Sequence, residues 1–138
     1  MSPFFKSALF SLALVFAVSG SLVAENHHAS TPSYKTTDIT PNIKMLQGKG
    51  GNIGVLTGKQ GIVLIDDDYG IMSTALTTAL EPFGGVKALS YIINTHWHGD
   101  HTGGNSVMGL QARIVAHENV RRRLLTRQEI KLFGMVTE

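Results

Sequence analysis

Leu89-Ser90-Tyr91-Ile92-Ile93-Asn94-Thr95-His96-Trp97-His98-Gly99-Asp100-His101-Thr102-Gly103-Gly104-Asn105 is the stretch that decides the fold of this chain. Its apolar run at 89–93 reads as a strand. The strand empties into His96, His98, Asp100 and His101, four metal-capable side chains within six residues. Neutral imidazole nitrogen and carboxylate oxygen are the donors that borderline divalent ions such as Zn2+ accept. A glycine-rich turn after a strand lets those side chains converge, where a continued strand would alternate them between opposite faces.

Working upstream, Ile62-Val63-Leu64-Ile65 is an unbroken apolar run that predicts a strand buried on both faces and ending at Asp66-Asp67-Asp68. Strands are also expected at Ile43–Gln47, 52–57 and Gly61–Ile65, with Gly58-Lys59-Gln60 as a hairpin connection. The segment Gly48-Lys49-Gly50-Gly51-Asn52-Ile53-Gly54 fails as a phosphate loop, because Ile53 occupies the position of the third glycine in GxGxxG and no GK[ST] follows. It reads as a turn between strands. A helix is expected over Ser73–Leu80, stopped by Pro82 and Gly84-Gly85. Downstream the pattern predicts a short helix from Asn105, a strand over 112–116 and a helix over 118–131. Strands alternating with helices point to a layered α/β architecture.

Composition narrows the function. The 138 residues suit one modest domain, and the absence of cysteine excludes disulfides and thiolate ligands. The formal charge of +2 leaves no densely basic face. Arg121, Arg122 and Arg123 read as the solvated side of a helix, so no nucleic-acid partner is expected. Residues 1–24 carry Lys6, an apolar stretch at 8–18 and small residues up to Ala24, the layout of a secretory signal too short to span a membrane comfortably. Residues 25–38 read as a polar leader in which His27 and His28 are incidental, and 39–138 as the folded part. Export without cysteine suits a bacterial periplasm, with no membrane association after cleavage.

His96-x-His98-x-Asp100-His101 followed by Thr102-Gly103-Gly104-Asn105 resembles the signature of the metallo-β-lactamase superfamily, and the acidic residue after the 62–65 strand is similar to that family's first motif. The resemblance implies an αββα sandwich, here its N-terminal half. It implies a zinc-dependent hydrolase with two ions, iron or manganese being alternatives. His96 and His98 match the pair that binds one ion, and Asp100 and His101 the pair that binds the other. A hydroxide bridging ions about 3.5–4 Å apart would attack an ester, thioester, lactam or similar bond of a small-molecule substrate. Asp100 would also act catalytically, orienting the nucleophile or taking up a proton. Asp66 and Thr102 would stand behind the ligands, fixing the loop or a ligand tautomer. Gly99, Gly103 and Gly104 would let backbone and metal approach closely. His117 reads as the cap of the following helix and not as a further ligand.

One departure qualifies this reading. A catalytic zinc needs three protein ligands and an open position, and each ion here has two candidates. The family's later motifs, two histidines and a bridging acidic residue, have no counterpart before Glu138. The expectation is therefore the N-terminal part of a longer enzyme, weak or inactive alone. The alternative is a metal-binding or partner-dependent module without chemistry of its own. Substrate and oligomeric state are not legible in the sequence.

Overall fold

In a computed structural model describing residues 31–130 and 134–137, four antiparallel strands come first: β1 (Lys35–Thr40), β2 (Ile43–Gln47), β3 (Asn52–Gly58) and β4 (Gly61–Ile65). Helix α1 (Ser73–Leu80) then crosses over to β5 (Leu89–Asn94), which lies parallel to β4. The one-turn helices α2 (Gly99–Thr102) and α3 (Asn105–Met108) lead to β6 (Arg113–Ala116), parallel to β5. The six strands form one mixed sheet in chain order. Helix α4 (Glu118–Leu124) and a small hairpin of β7 (Gln128–Ile130) and β8 (Met135–Thr137) follow.

Period-two alternation builds the core. Leu46, Ile53, Val55, Ile62, Leu64 and Ile92 are buried on one face of the sheet. Leu76 and Leu80, spaced to share one side of α1, and Met108 of α3 pack against them. A three-residue helical turn at Glu81–Phe83 carries Pro82, and Gly84 follows at φ 108°, so the chain cannot continue as a helix.

Three expectations change. The 62–65 run is not buried on both faces: burial alternates along it, as it does along the neighbouring β5, where Tyr91 and Ile93 are 41 % and 38 % exposed. In register with them, Leu56 faces Val63, and Val115 faces Ile93, so the second face of the sheet is apolar and half open. Second, the stretch read as leader up to residue 38 includes the first four residues of β1, whose backbone pairs with β2 from Lys35 onward. Third, the helix expected to reach residue 131 stops at Leu124, because the following residues pair as β7 and β8 around Gly134 at φ 60°. The proposed signal over 1–24 and His27-His28 lie outside the described residues. Among the described residues no helix is long and apolar enough to cross a membrane.

Candidate metal centre

The site is assembled where the parallel strands β4 and β5 end side by side, the usual place for a ligand site in an α/β sheet. Asp66, Asp67 and Asp68 leave β4 and are all buried. Asp66 and Asp68 have φ of 64° and 61°, a left-handed conformation that Asp tolerates better than most residues when its side chain is bonded locally. Each carboxylate serves a different segment. Asp66 accepts from Thr95 N at 2.8 Å, Thr95 Oγ1 at 2.8 Å and His101 Nδ1 at 2.7 Å. Asp67 accepts from Gly104 N at 3.0 Å. Asp68 accepts from the amides of Lys49, Gly50 and Tyr69 and from the Tyr34 hydroxyl.

The loop after β5 is held at its backbone. The His101 carbonyl accepts from Asp67 N at 3.1 Å and Asn94 Nδ2 at 3.2 Å, and Asn105 Nδ2 donates to Asn94 Oδ1 at 2.9 Å. The Thr102 hydroxyl donates to the His98 carbonyl at 3.0 Å. Thr102 therefore braces the loop backbone and makes no bond to a ligand side chain.

Within this frame the four predicted side chains come together, with the His96 and His101 ring centroids 4.0 Å apart and those of His96 and His98 4.8 Å apart. His96 Nε2 lies 3.2 Å from His98 Nδ1, and His101 Nε2 lies 3.3 Å from Asp100 Oδ2. Two ligand atoms on a tetrahedral zinc lie roughly 3.3 Å apart, given bonds of about 2.0–2.2 Å. Donor accounting then assigns tautomers. His101 Nδ1 faces the acceptor-only Asp66 carboxylate and carries a proton, so in the neutral tautomer the lone pair is on Nε2. Thr95 Oγ1 spends its one hydrogen on Asp66, so it accepts from His96 Nδ1 at 3.0 Å, and His96 Nε2 is also unprotonated. Asp66 thus fixes one histidine of each pair, directly in one case and through Thr95 in the other. In the neutral tautomer His101 Nε2 and Asp100 Oδ2 are two acceptors 3.3 Å apart, and either a second proton on His101 or a cation would satisfy both. Burial, followed by the proximity of His101 and His98, lowers the His96 pKa and favours the neutral ligand form. The donor set fits a divalent metal in type. Its number is short, because among the described residues no three His, Asp or Glu side chains converge on one point.

The family model of the metallo-beta-lactamase superfamily matches residues 46–122, more than half of the sequence. The chain belongs to that superfamily. Among solved structures, it is similar to BJP-1, a subclass B3 metallo-beta-lactamase of Bradyrhizobium japonicum, at 27% identity and a TM-score of 0.61, over 68% of this chain and 37% of that one. A metallo-beta-lactamase of Cronobacter sakazakii matches at 23% identity and 0.61, over 68% of this chain and 38% of that one. MEM-A1, a subclass B3 enzyme from a soil metagenome library, matches at 19% and 0.65, over 78% and 43%. The chain spans less than half the length of these three structures. No curated protein sequence matches it.

Several features of this superfamily member escape a linear reading. The glycine-rich turn between β2 and β3 lies over the site: a Cβ on Gly51 would sit 2.6 Å from His101 Cε1, so glycine is required for the turn to pack on the imidazole. Tyr34, Thr95, Asn94 and Asp68 also belong to the supporting frame; Asp68 stands in the acidic run after β4, while nothing local marked Tyr34. Burial and its bond to Asp68 raise the Tyr34 pKa far above the usual phenol value. Trp97 is half-buried, its ring 4.6 Å from His98 on one side and Arg123 5.1 Å away over its face. His117 Nδ1 accepts from Asn119 N at 3.1 Å and caps α4, as expected.

Asp67 carries a pH dependence. Burial first, then the neighbouring Asp66 and Asp68 charges, push its carboxyl up to about 7 against the lowering effect of the Gly104 N–H. No protein group among the described residues bonds its Oδ2. An unfolded aspartate titrates near about 3.9, so the folded chain holds this proton more tightly. Stability from this group therefore falls as pH rises from about 4 to about 7, then levels. Asp67→Asn keeps an acceptor for Gly104 and is expected to flatten that slope in thermal unfolding between pH 4 and 8. An unchanged slope would remove Asp67 from the account.

Proposed function

We propose that this chain supplies half of the two-metal centre of an exported zinc-dependent hydrolase. The observation that supports the reading is the Asp66 relay, whose bonds to His101 and, through Thr95, to His96 would in the neutral tautomers leave Nε2 of each free to bind a metal. His96 and His98 hold one ion, and Asp100 and His101 the other, with zinc favoured over iron or manganese. Two ions held there would activate a bound water near neutral pH and polarise the bond under attack. Asp100, partly exposed, orients the attacking water or takes up its proton. Asp66 fixes ligand tautomers, Thr102 fixes the loop, and the turn at Gly51 limits water around His101. The substrate is a small molecule with an ester, thioester, lactam or similar bond. Nucleic acid and membrane have no part, and residues 1–24 direct the chain to the periplasm.

A second reading is favoured by the ligand count. With two donors per ion among the described residues, the chain alone serves as a metal-binding module that depends on further residues for chemistry. Zinc content by mass spectrometry, with hydrolysis of a chromogenic β-lactam and a thioester, tests both. The expected result is zinc that binds detectably but washes out on desalting, with little or no turnover. Tight binding of two ions with turnover would overturn the half-site. Equal zinc binding by a His96→Ala, His98→Ala double variant would overturn the assignment of the first pair.

A further inference from the structure

A groove of about 680 Å3 runs between α4 and β7, lined by Asn119, Arg122, Arg123, Leu125, Thr126 and Gln128. Two of these six are cations and none is a carboxylate. Arg123 Nη1 donates to Gln128 Oε1 at 2.9 Å, and Arg122 Nη2 donates to Asn119 Oδ1. Both acceptors are neutral amides, and among the described residues neither guanidinium has an acidic partner. Arg123 also lies over the face of Trp97, and Trp97 meets His98 edge-on, so two contacts in series join the groove to the histidine loop. A cation over an aromatic face keeps its N–H donors, and of those on Arg123 only Nη1 is engaged among the described residues, with Gln128. A planar or tetrahedral oxyanion meets a guanidinium edge bidentately, and the contact with Trp97 holds Arg123 in place beforehand.

We propose that this groove is a subsite for the oxyanion of a small-molecule ligand, a carboxylate or a phosphate, whose other end reaches the histidine loop across Trp97. The assignment rests on the metal-hydrolase reading only for what lies at that other end. It implies that the hydrolase prefers anionic over neutral substrates of the same reactive class. An Arg123 that merely pins Trp97 would show the same contact but no affinity for oxyanions.

Trp97 is the only tryptophan of the chain, so its fluorescence reads the groove directly. The full chain, stripped of metal by a chelator, is titrated with inorganic phosphate and separately with succinate, at ionic strength held constant with chloride. Working without metal separates this test from the zinc reading, which can fail while the groove binds, or hold while it does not. The expected result is a saturable change in Trp97 emission, at least about tenfold weaker in Arg123→Gln, since charge-assisted bonds of this kind are worth roughly 1.5–3 kcal/mol. Arg123→Lys keeps the cation over Trp97 and guards against a variant that fails to fold. It is expected to bind more weakly than wild type, because an ammonium cannot grip bidentately. Response to phosphate alone or to succinate alone assigns the oxyanion class. No saturable response to either, or a response that both variants leave unchanged, overturns the proposal.

Discussion

Asp66→Asn is expected to weaken zinc binding at the Asp100–His101 pair by about 10- to 100-fold while leaving the chain folded. Asparagine suits the left-handed backbone at φ 64° nearly as well as aspartate, so local strain does not enter. The damage is electronic. Thr95 N still requires an acceptor at 2.8 Å, and meeting it turns the new amide N–H2 towards Thr95 Oγ1 and His101 Nδ1. His101 must then accept at Nδ1, which moves its proton to Nε2, the atom facing Asp100. The opposite amide rotamer keeps the histidine but opposes two N–H groups at Thr95. Either way the charged partner that orders the imidazole is gone. Cobalt(II) titration followed by visible absorbance reads the result, and thermal unfolding shows whether the fold survives. Wild-type affinity in a folded Asp66→Asn would sink the tautomer argument. Because Thr95 links the same carboxylate to His96, a smaller loss at the other pair is expected too.

Gly103→Ala should cost about 3 kcal/mol of stability, at the upper end of ordinary overpacking. A Cβ there would lie 2.6 Å from Gly70 N, 2.6 Å from Gly99 O and 2.9 Å from Asp68 O. All three are backbone atoms on two segments, so no flexible side chain can swing aside. Gly99→Ala is the contrast, since the nearest atom, Tyr69 Cε1, is 4.0 Å away. Alanine there replaces a helical glycine and is expected to be neutral or mildly stabilising. Urea unfolding of the pair checks both, and a Gly103→Ala variant within about 0.5 kcal/mol of wild type would contradict the packing described. The three glycines of the motif thus divide: Gly103 and Gly104 are held by close packing against backbone, while Gly99 has open space.

The histidine loop and the strand before it were legible because their signals are local: an apolar run, then four metal-capable side chains within six residues. The acidic end of β4 was legible for the same reason. What lies around them was not. β1 is Lys-Thr-Thr-Asp-Ile-Thr, with no apolar alternation, and it holds its place through backbone pairing with β2. Helix α4 was overextended because Leu124 and Leu125 continue an apolar pattern that the β7–β8 pairing overrides. Tyr34 reaches Asp68 across 34 positions and Thr95 reaches Asp66 across 29, and no spacing rule connects residues so distant. The turn at Gly51 read as a plain connection because its contact with His101 exists only in three dimensions.

The two kinds of strand neighbour in the sheet carry a consequence for how the molecule acquires its chemistry. β1 to β4 zip together through short hairpins, whereas β5 and β6 join only after crossovers of twenty or so residues. Contacts between distant residues are entropically costly and form late. Asp66 lies on the early side of that divide and His101 on the late side, so their bond cannot close until the first crossover has docked. The Asp66–His101 bond should accordingly mark the completion of folding, and a half-zipped chain would carry the four donors without the carboxylate that orders them.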